Sequence, residues 1–131
     1  MKWIKTTLLP VLAATIWISV SEFVRNELML KSHWVKHYET LGLVFPSEPV
    51  NGAVWGIWSL LFAIAIYIIA EKFSLMATTL LSWLVGFVMM WVVIGNMMVL
   101  PTSILIYAIP LSLLEAFLAA FIIHILNRKV E

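Results

Sequence analysis

Apolar residues in this chain do not alternate with polar ones. They run in four long blocks broken by short polar stretches. A helix needs about 20 mostly apolar residues to cross about 30 Å of hydrocarbon. The blocks Thr6–Val24, Asn51–Ala70, Leu75–Leu100 and Ile104–Leu126 all meet that length. Only Glu71-Lys72-Phe73-Ser74 separates the second block from the third, and only Pro101-Thr102-Ser103 the third from the fourth, so each of these pairs is predicted to form an antiparallel hairpin. The pattern predicts an all-α polytopic membrane protein, a four-transmembrane-helix bundle forming a single integral membrane domain.

The first connection, Arg25–Val50, is long enough to carry structure of its own. Leu30, Trp34, Tyr38, Leu41 and Phe45 recur at helical spacing, while Lys31, His33, Lys36, His37 and Glu39 fall mostly on other faces. This predicts an amphipathic outer loop helix between helices 1 and 2, lying in the headgroup layer either as a cap on lipid or as a lid over a site. Gly42 can end it, and Pro46 and Pro49 then favour an extended return.

Composition agrees with this pattern. Of 131 residues 63% are hydrophobic and 11% charged, and so few charges cannot cover a water-soluble globule, whereas a bilayer favours an apolar exterior. Eight basic and seven acidic residues give a net charge of +1 with no basic run, which argues against nucleic-acid binding. Cysteine and aspartate are both absent, which excludes disulfides, thiol chemistry, Cys-ligated metal and aspartyl chemistry. No cofactor is expected.

Lys2, Lys5, Lys72, Arg128 and Lys129 fall on one side of the predicted topology, and Arg25, Lys31 and Lys36 on the other. Basic residues sort to the cytoplasm, so both termini are expected inside, as in a bacterial inner (plasma) membrane protein. The first block also has a signal-peptide makeup: Lys2 and Lys5, then Leu8 to Ile18, then Ser19 and Ser21. We take this segment to be retained as a span.

Glu115 stands out because it falls in the middle of the fourth block, where a charge costs about 3 kcal/mol or more. On depth by sequence no Lys or Arg accompanies it, so the carboxyl is expected to be neutral, to face water, or to meet its copies at an oligomer axis. Ser112 lies one turn earlier on the same face. Pro110 leaves the Ile106 carbonyl without its helical donor, adding a polar neighbour. Glu115 and Ser112 are thus a candidate ion or proton site, or alternatively a hydrogen-bonded packing contact.

A second polar group is expected toward the outer ends of the helices. Glu22, Ser19, Asn51 and Asn96 share that depth, Arg25 follows Glu22 by one turn, and Trp17, Trp55, Trp58 and Trp91 lie at or below it. Glu22, Arg25, Asn51, Asn96, Trp17, Trp55, Trp58 and Trp91 therefore make a candidate outer pocket for an amphipathic or cationic ligand. The plainer alternative is an interfacial Glu22–Arg25 salt bridge with tryptophans filling the core.

His33 and His37, four residues apart, are weak candidate metal ligands, because His124 lies near the other end of the fourth block. Met89, Met90, Met97 and Met98 point in different directions and read as packing. Small-residue stripes at Gly52 and Gly56, Ser82 and Gly86, and Ser112, Ala116 and Ala119 are expected to let helices approach closely, within the bundle or between copies.

The sequence carries no Gly-x-Ser-x-Gly, His-Glu-x-x-His or Gly-rich phosphate loop. The reading that fits best is a homo-oligomeric channel or transporter for a proton, a cation or a small amphipathic solute, surrounded by membrane lipids. The alternatives are an accessory subunit bound to a membrane-protein partner, and a lipid enzyme using Glu22, His33 and His37.

Overall fold

The four apolar blocks are helices in the computed structural model, which describes residues 1–128. In chain order the helices are α1 (Ile4–Met29), α2 (Lys31–Thr40), α3 (Pro49–Ala70), α4 (Leu75–Asn96) and α5 (Thr102–Arg128). All except α2 are long and apolar enough to cross a membrane. α1 packs against α3 and α5, and α4 packs against α5 and, less closely, α3. The result is a four-helix bundle with α2 lying across one end.

α1 continues five residues past its expected end, through a π-helical turn at Val24–Met29. Polarity suggested a loop there, but Glu22, Arg25 and Asn26 satisfy one another inside the bundle, so the helix is not forced to stop. Near its start, Pro10 has no N–H to give the Thr6 carbonyl. The Tyr67 hydroxyl of α3 donates to that carbonyl instead at 3.0 Å, and Thr7 Oγ1 lies 3.1 Å from the same hydroxyl.

Three termini show why the remaining elements stop where they do. α2 ends in a Schellman closure, with Leu43 N–H donating to the Tyr38 carbonyl at 2.9 Å, Gly42 N–H to that of Glu39 at 3.0 Å, and Gly42 at φ +71°. Phe45 then folds back onto Tyr38 and Trp34, with ring centroids 5.3 and 6.0 Å apart. α3 opens on a capping box in which Asn51 Oδ1 accepts from the Glu48 N–H at 3.0 Å, with Pro49 in its first turn. α4 ends at Asn96, four residues earlier than expected, in a second Schellman closure that holds Met98 at φ +64°.

The bundle has two unlike halves. Toward the end that holds the start of α1 and the α3–α4 turn, Ala14, Ala63, Ala119, Ala120, Ile66 and Ile123 are fully buried and close the interior. Large rings take over toward α2. Gly86 lies in the π-helical turn Leu84–Val88, where an added Cβ would stand 2.5 Å from Phe62 Cε2, so glycine there lets the Phe62 ring pack onto α4. The stripes on α4 and α5 serve such close contacts, but Gly52 and Gly56 do not. An added Cβ at either meets nothing within 4 Å, because both face a cavity rather than another helix.

Candidate functional site

That cavity has a volume of about 750 Å³ and lies among α1, α3, α4 and the return segment from α2. One wall is Trp55, Gly56 and Ser59 of α3, and the facing wall is Phe87, Met90 and Trp91 of α4. Trp34, Tyr38 and Phe45 roof it, and Glu22 and Arg25 of α1 form its floor.

The floor is the most polar part of the interior. Arg25 is 5% exposed, Glu22 6% and Glu115 0%. Arg25 Nη2 donates to Glu22 Oε1 at 2.5 Å and Nη1 to Glu115 Oε1 at 3.4 Å. Beneath the guanidinium lies the Phe87 ring, its centroid 5.2 Å from Cζ, an arrangement worth about 0.5–2 kcal/mol. Asn26 Nδ2 donates to Glu22 Oε2 at 2.9 Å and Trp34 Nε1 to Asn26 Oδ1 at 3.3 Å, which ties α2 to the cluster. Glu115 Oε2 has no hydrogen-bond partner among the described residues.

This corrects the expectation that Glu115 has no cationic neighbour. Arg25 is one, although its position lies near the end of α1 while Glu115 lies in the middle of α5. The Glu22–Arg25 pair is correspondingly a buried pair rather than an interfacial one. Pro110 and Ile106 lie on the exposed face of α5, so the carbonyl freed by Pro110 is not part of the cluster.

Among known proteins, the chain matches no family model, no curated protein and no solved structure. Its chemistry is therefore read from the side chains alone.

Glu22, Arg25, Asn51, Trp55 and Trp91 line the cavity together. Trp17, Trp58 and Asn96 do not. Trp17 Nε1 donates to the Glu115 backbone carbonyl at 3.0 Å on the far side of α1, Trp58 packs on Phe62 and Phe87, and Asn96 is exposed. Asn51 is already engaged as the cap of α3. Ser112 accepts from Trp83 Nε1 at 2.9 Å and donates to the Ile109 carbonyl at 3.1 Å, so its hydroxyl serves the α4–α5 contact.

His33 and His37 turn away from the cavity toward the α4–α5 connection. His33 Nδ1 lies 3.0 Å from Ser103 Oγ, and His37 Nε2 donates to the Met98 carbonyl at 2.8 Å. They latch α2 down. The structure does not bring them together with Glu22, and among the described residues no three His, Cys, Asp or Glu side chains group to hold a metal. Lys129 lies outside the described residues.

Sequence reasoning missed Asn26, Ser59 and Phe87. Asn26 follows Glu22 by four residues, a spacing that places it over the carboxylate. Phe87 adjoins Gly86, where the Phe62 ring of α3 packs onto the α4 backbone.

Proposed function

We propose that this protein is a small membrane carrier that takes up an amphipathic organic cation from the side on which α2 lies. The cavity carries this reading. Its volume of about 750 Å³ falls within the roughly 300–1,000 Å³ of drug-sized ligand sites, and its walls are mainly aromatic and aliphatic. The faces of Trp55 and Trp91 suit a cation, and the floor places two carboxyl groups against one guanidinium. With all three ionised the floor carries an excess negative charge, which apolar surroundings tolerate poorly.

Lys2, Lys5, Lys72 and Arg128 lie at the end of the bundle away from α2, and the sorting of basic residues makes that end cytoplasmic in our reading. The closed, alanine-lined half below the cluster disfavours an open channel through one copy. Passage would use a rearrangement of the bundle, or a second copy of the chain completing the path.

Equilibrium dialysis of tetraphenylphosphonium against the protein in nanodiscs tests the reading. Saturable binding is expected, weakened at least about tenfold by Glu22→Gln and by Trp91→Ala, a loss of about 1.4 kcal/mol each. The same protein in liposomes should exchange internal for external probe. A chain that shows no saturable binding and purifies with a stoichiometric partner would instead be an accessory subunit.

A further inference from the structure

We propose that the Glu22–Arg25–Glu115 cluster exchanges one proton for the charge of the incoming cation, with Arg25 as the group that moves between the two carboxyls. This rests on the carrier reading above and adds its coupling ion.

The geometry is unsymmetrical in the way such an exchange requires. Arg25 Nη2 is 2.5 Å from Glu22 Oε1, a tight charge-assisted bond, whereas Nη1 is 3.4 Å from Glu115 Oε1. Drawing Nη1 in to the 2.7–2.9 Å usual for such a bond takes a shift of about 0.6 Å. Glu115 has a free acceptor to offer it, because its Oε2 has no partner among the described residues. Access is unsymmetrical too: Glu22 lines the cavity and Glu115 does not. A cation that enters therefore meets the carboxylate that Arg25 holds tightly, while the carboxyl it holds loosely lies behind the guanidinium.

Charge sets the stoichiometry. Two carboxyls and one guanidinium are neutral together when they hold one proton between them, and that proton belongs to the pair as a unit. A permanent cation seated at Glu22 brings the charge the proton supplied. Arg25 turns to Glu115, one carboxyl O–H bond breaks, and the proton leaves for solvent. The cluster begins and ends neutral, with no electron transferred.

Few other groups can supply or absorb the proton. α4 carries no titratable side chain and α3 only Tyr67, which is committed to Thr6 and Thr7 in the other half of the bundle. On α5 the remaining titratable groups are Tyr107, exposed near its start, and His124 and Arg128 toward its far end. At the cavity rim stand Glu27, paired with Lys31 at 2.9 Å, together with Tyr38 and Glu48. Glu27 and Glu48 stand at the water-reached rim, apart from the buried floor where the cation is seated.

Calorimetric titration of the nanodisc-embedded protein with tetraphenylphosphonium, in buffers of different ionisation enthalpy, counts the protons released per cation bound. The probe has no proton of its own. Close to one proton is expected from the wild type, and close to none from Glu115→Gln, which leaves a cluster with nothing to release. Wild-type affinity should fall about tenfold per unit drop in pH wherever the exchange is complete, while Glu115→Gln stays flat. Binding without release across about pH 4 to 9, the range over which exposed and buried carboxyls titrate, overturns the exchange and leaves the carrier standing. Equal release from wild type and Glu115→Gln also overturns it. Absence of any saturable binding overturns the carrier reading, and the exchange with it. The wild-type stoichiometry alone decides the matter should the variant not fold.

Discussion

The Glu22–Arg25 pair offers a sharp energetic test, because its sequence spacing and its burial predict different magnitudes. On an exposed helix a pair three residues apart is worth about 0.3–0.5 kcal/mol. Here both side chains are nearly inaccessible, with relative exposures of 6% and 7%, and removing one partner of a buried ion pair costs about 3–5 kcal/mol. The two single variants should not be equal. Glu22→Gln leaves Arg25 the Glu115 carboxyl at 3.4 Å and the Phe87 ring at 5.2 Å, so about 2 kcal/mol is expected. Arg25→Met leaves Glu22 only the neutral Asn26 amide, so about 4 kcal/mol is expected. With both changed, no unpaired charge remains at position 22, and the double variant should cost no more than Arg25→Met alone. That is a coupling of about 2 kcal/mol. Reversible unfolding in mixed micelles of rising SDS fraction, followed by tryptophan fluorescence, gives the four stabilities. A coupling below about 0.5 kcal/mol, the value for an exposed pair, would refute the buried cluster.

Further predictions concern packing and helix ends, all measurable in the same titration. Gly86→Ala should destabilise by about 1–3 kcal/mol, since the new Cβ meets a Phe62 ring wedged between Trp58 and Phe87. Gly56→Ala, with open space around it, should be neutral or stabilise by up to about 1 kcal/mol; equal losses at the two sites would refute the two-halved interior. Tyr67→Phe should cost about 1 kcal/mol in the wild type and less in a Pro10→Ala background, where the backbone at position 10 regains an N–H for the Thr6 carbonyl. Met98→Gly should stabilise by about 1 kcal/mol by relieving a left-handed backbone in a side-chain-bearing residue; a loss would contradict that strain.

Long-range patterning made most of the fold legible. Four blocks of the right length gave four helices, and Leu30, Trp34 and Tyr38 marked the side of α2 that turns to the bundle, whereas Phe45, read at the same helical spacing, lies beyond the end of α2 and folds back onto it. Helix ends were harder to read, because they depend on which polar groups find partners. Polarity at Arg25–Met29 suggested a loop, yet Arg25 is buried in helix by two carboxylates and a ring. The same local view hid the partner of Glu115. Counting residues placed Arg25 near a helix end, but its long side chain reaches inward past the last turn of α1. The capping role of Asn51 was hidden, since the usual box has Ser or Thr at the cap and Glu or Gln three residues on, whereas here Glu48 holds the cap and Asn51 the third helical position. The role of Gly52 and Gly56 was hidden too, because small residues at this spacing serve close helix contact and open cavity walls equally well, and only the tertiary arrangement separates the two.

Occupation of the cavity by a cation, above the buried cluster, can be tested directly. Because the chain has no native cysteine, a single Gly56→Cys on the cavity wall, where an added Cβ meets nothing within 4 Å, can be followed with a small, positively charged thiol reagent in nanodiscs. Tetraphenylphosphonium should slow labelling at position 56 in a saturable manner, and adding Glu22→Gln should remove most of this protection. Labelling at the same rate with and without the probe would contradict a cation site in this cavity.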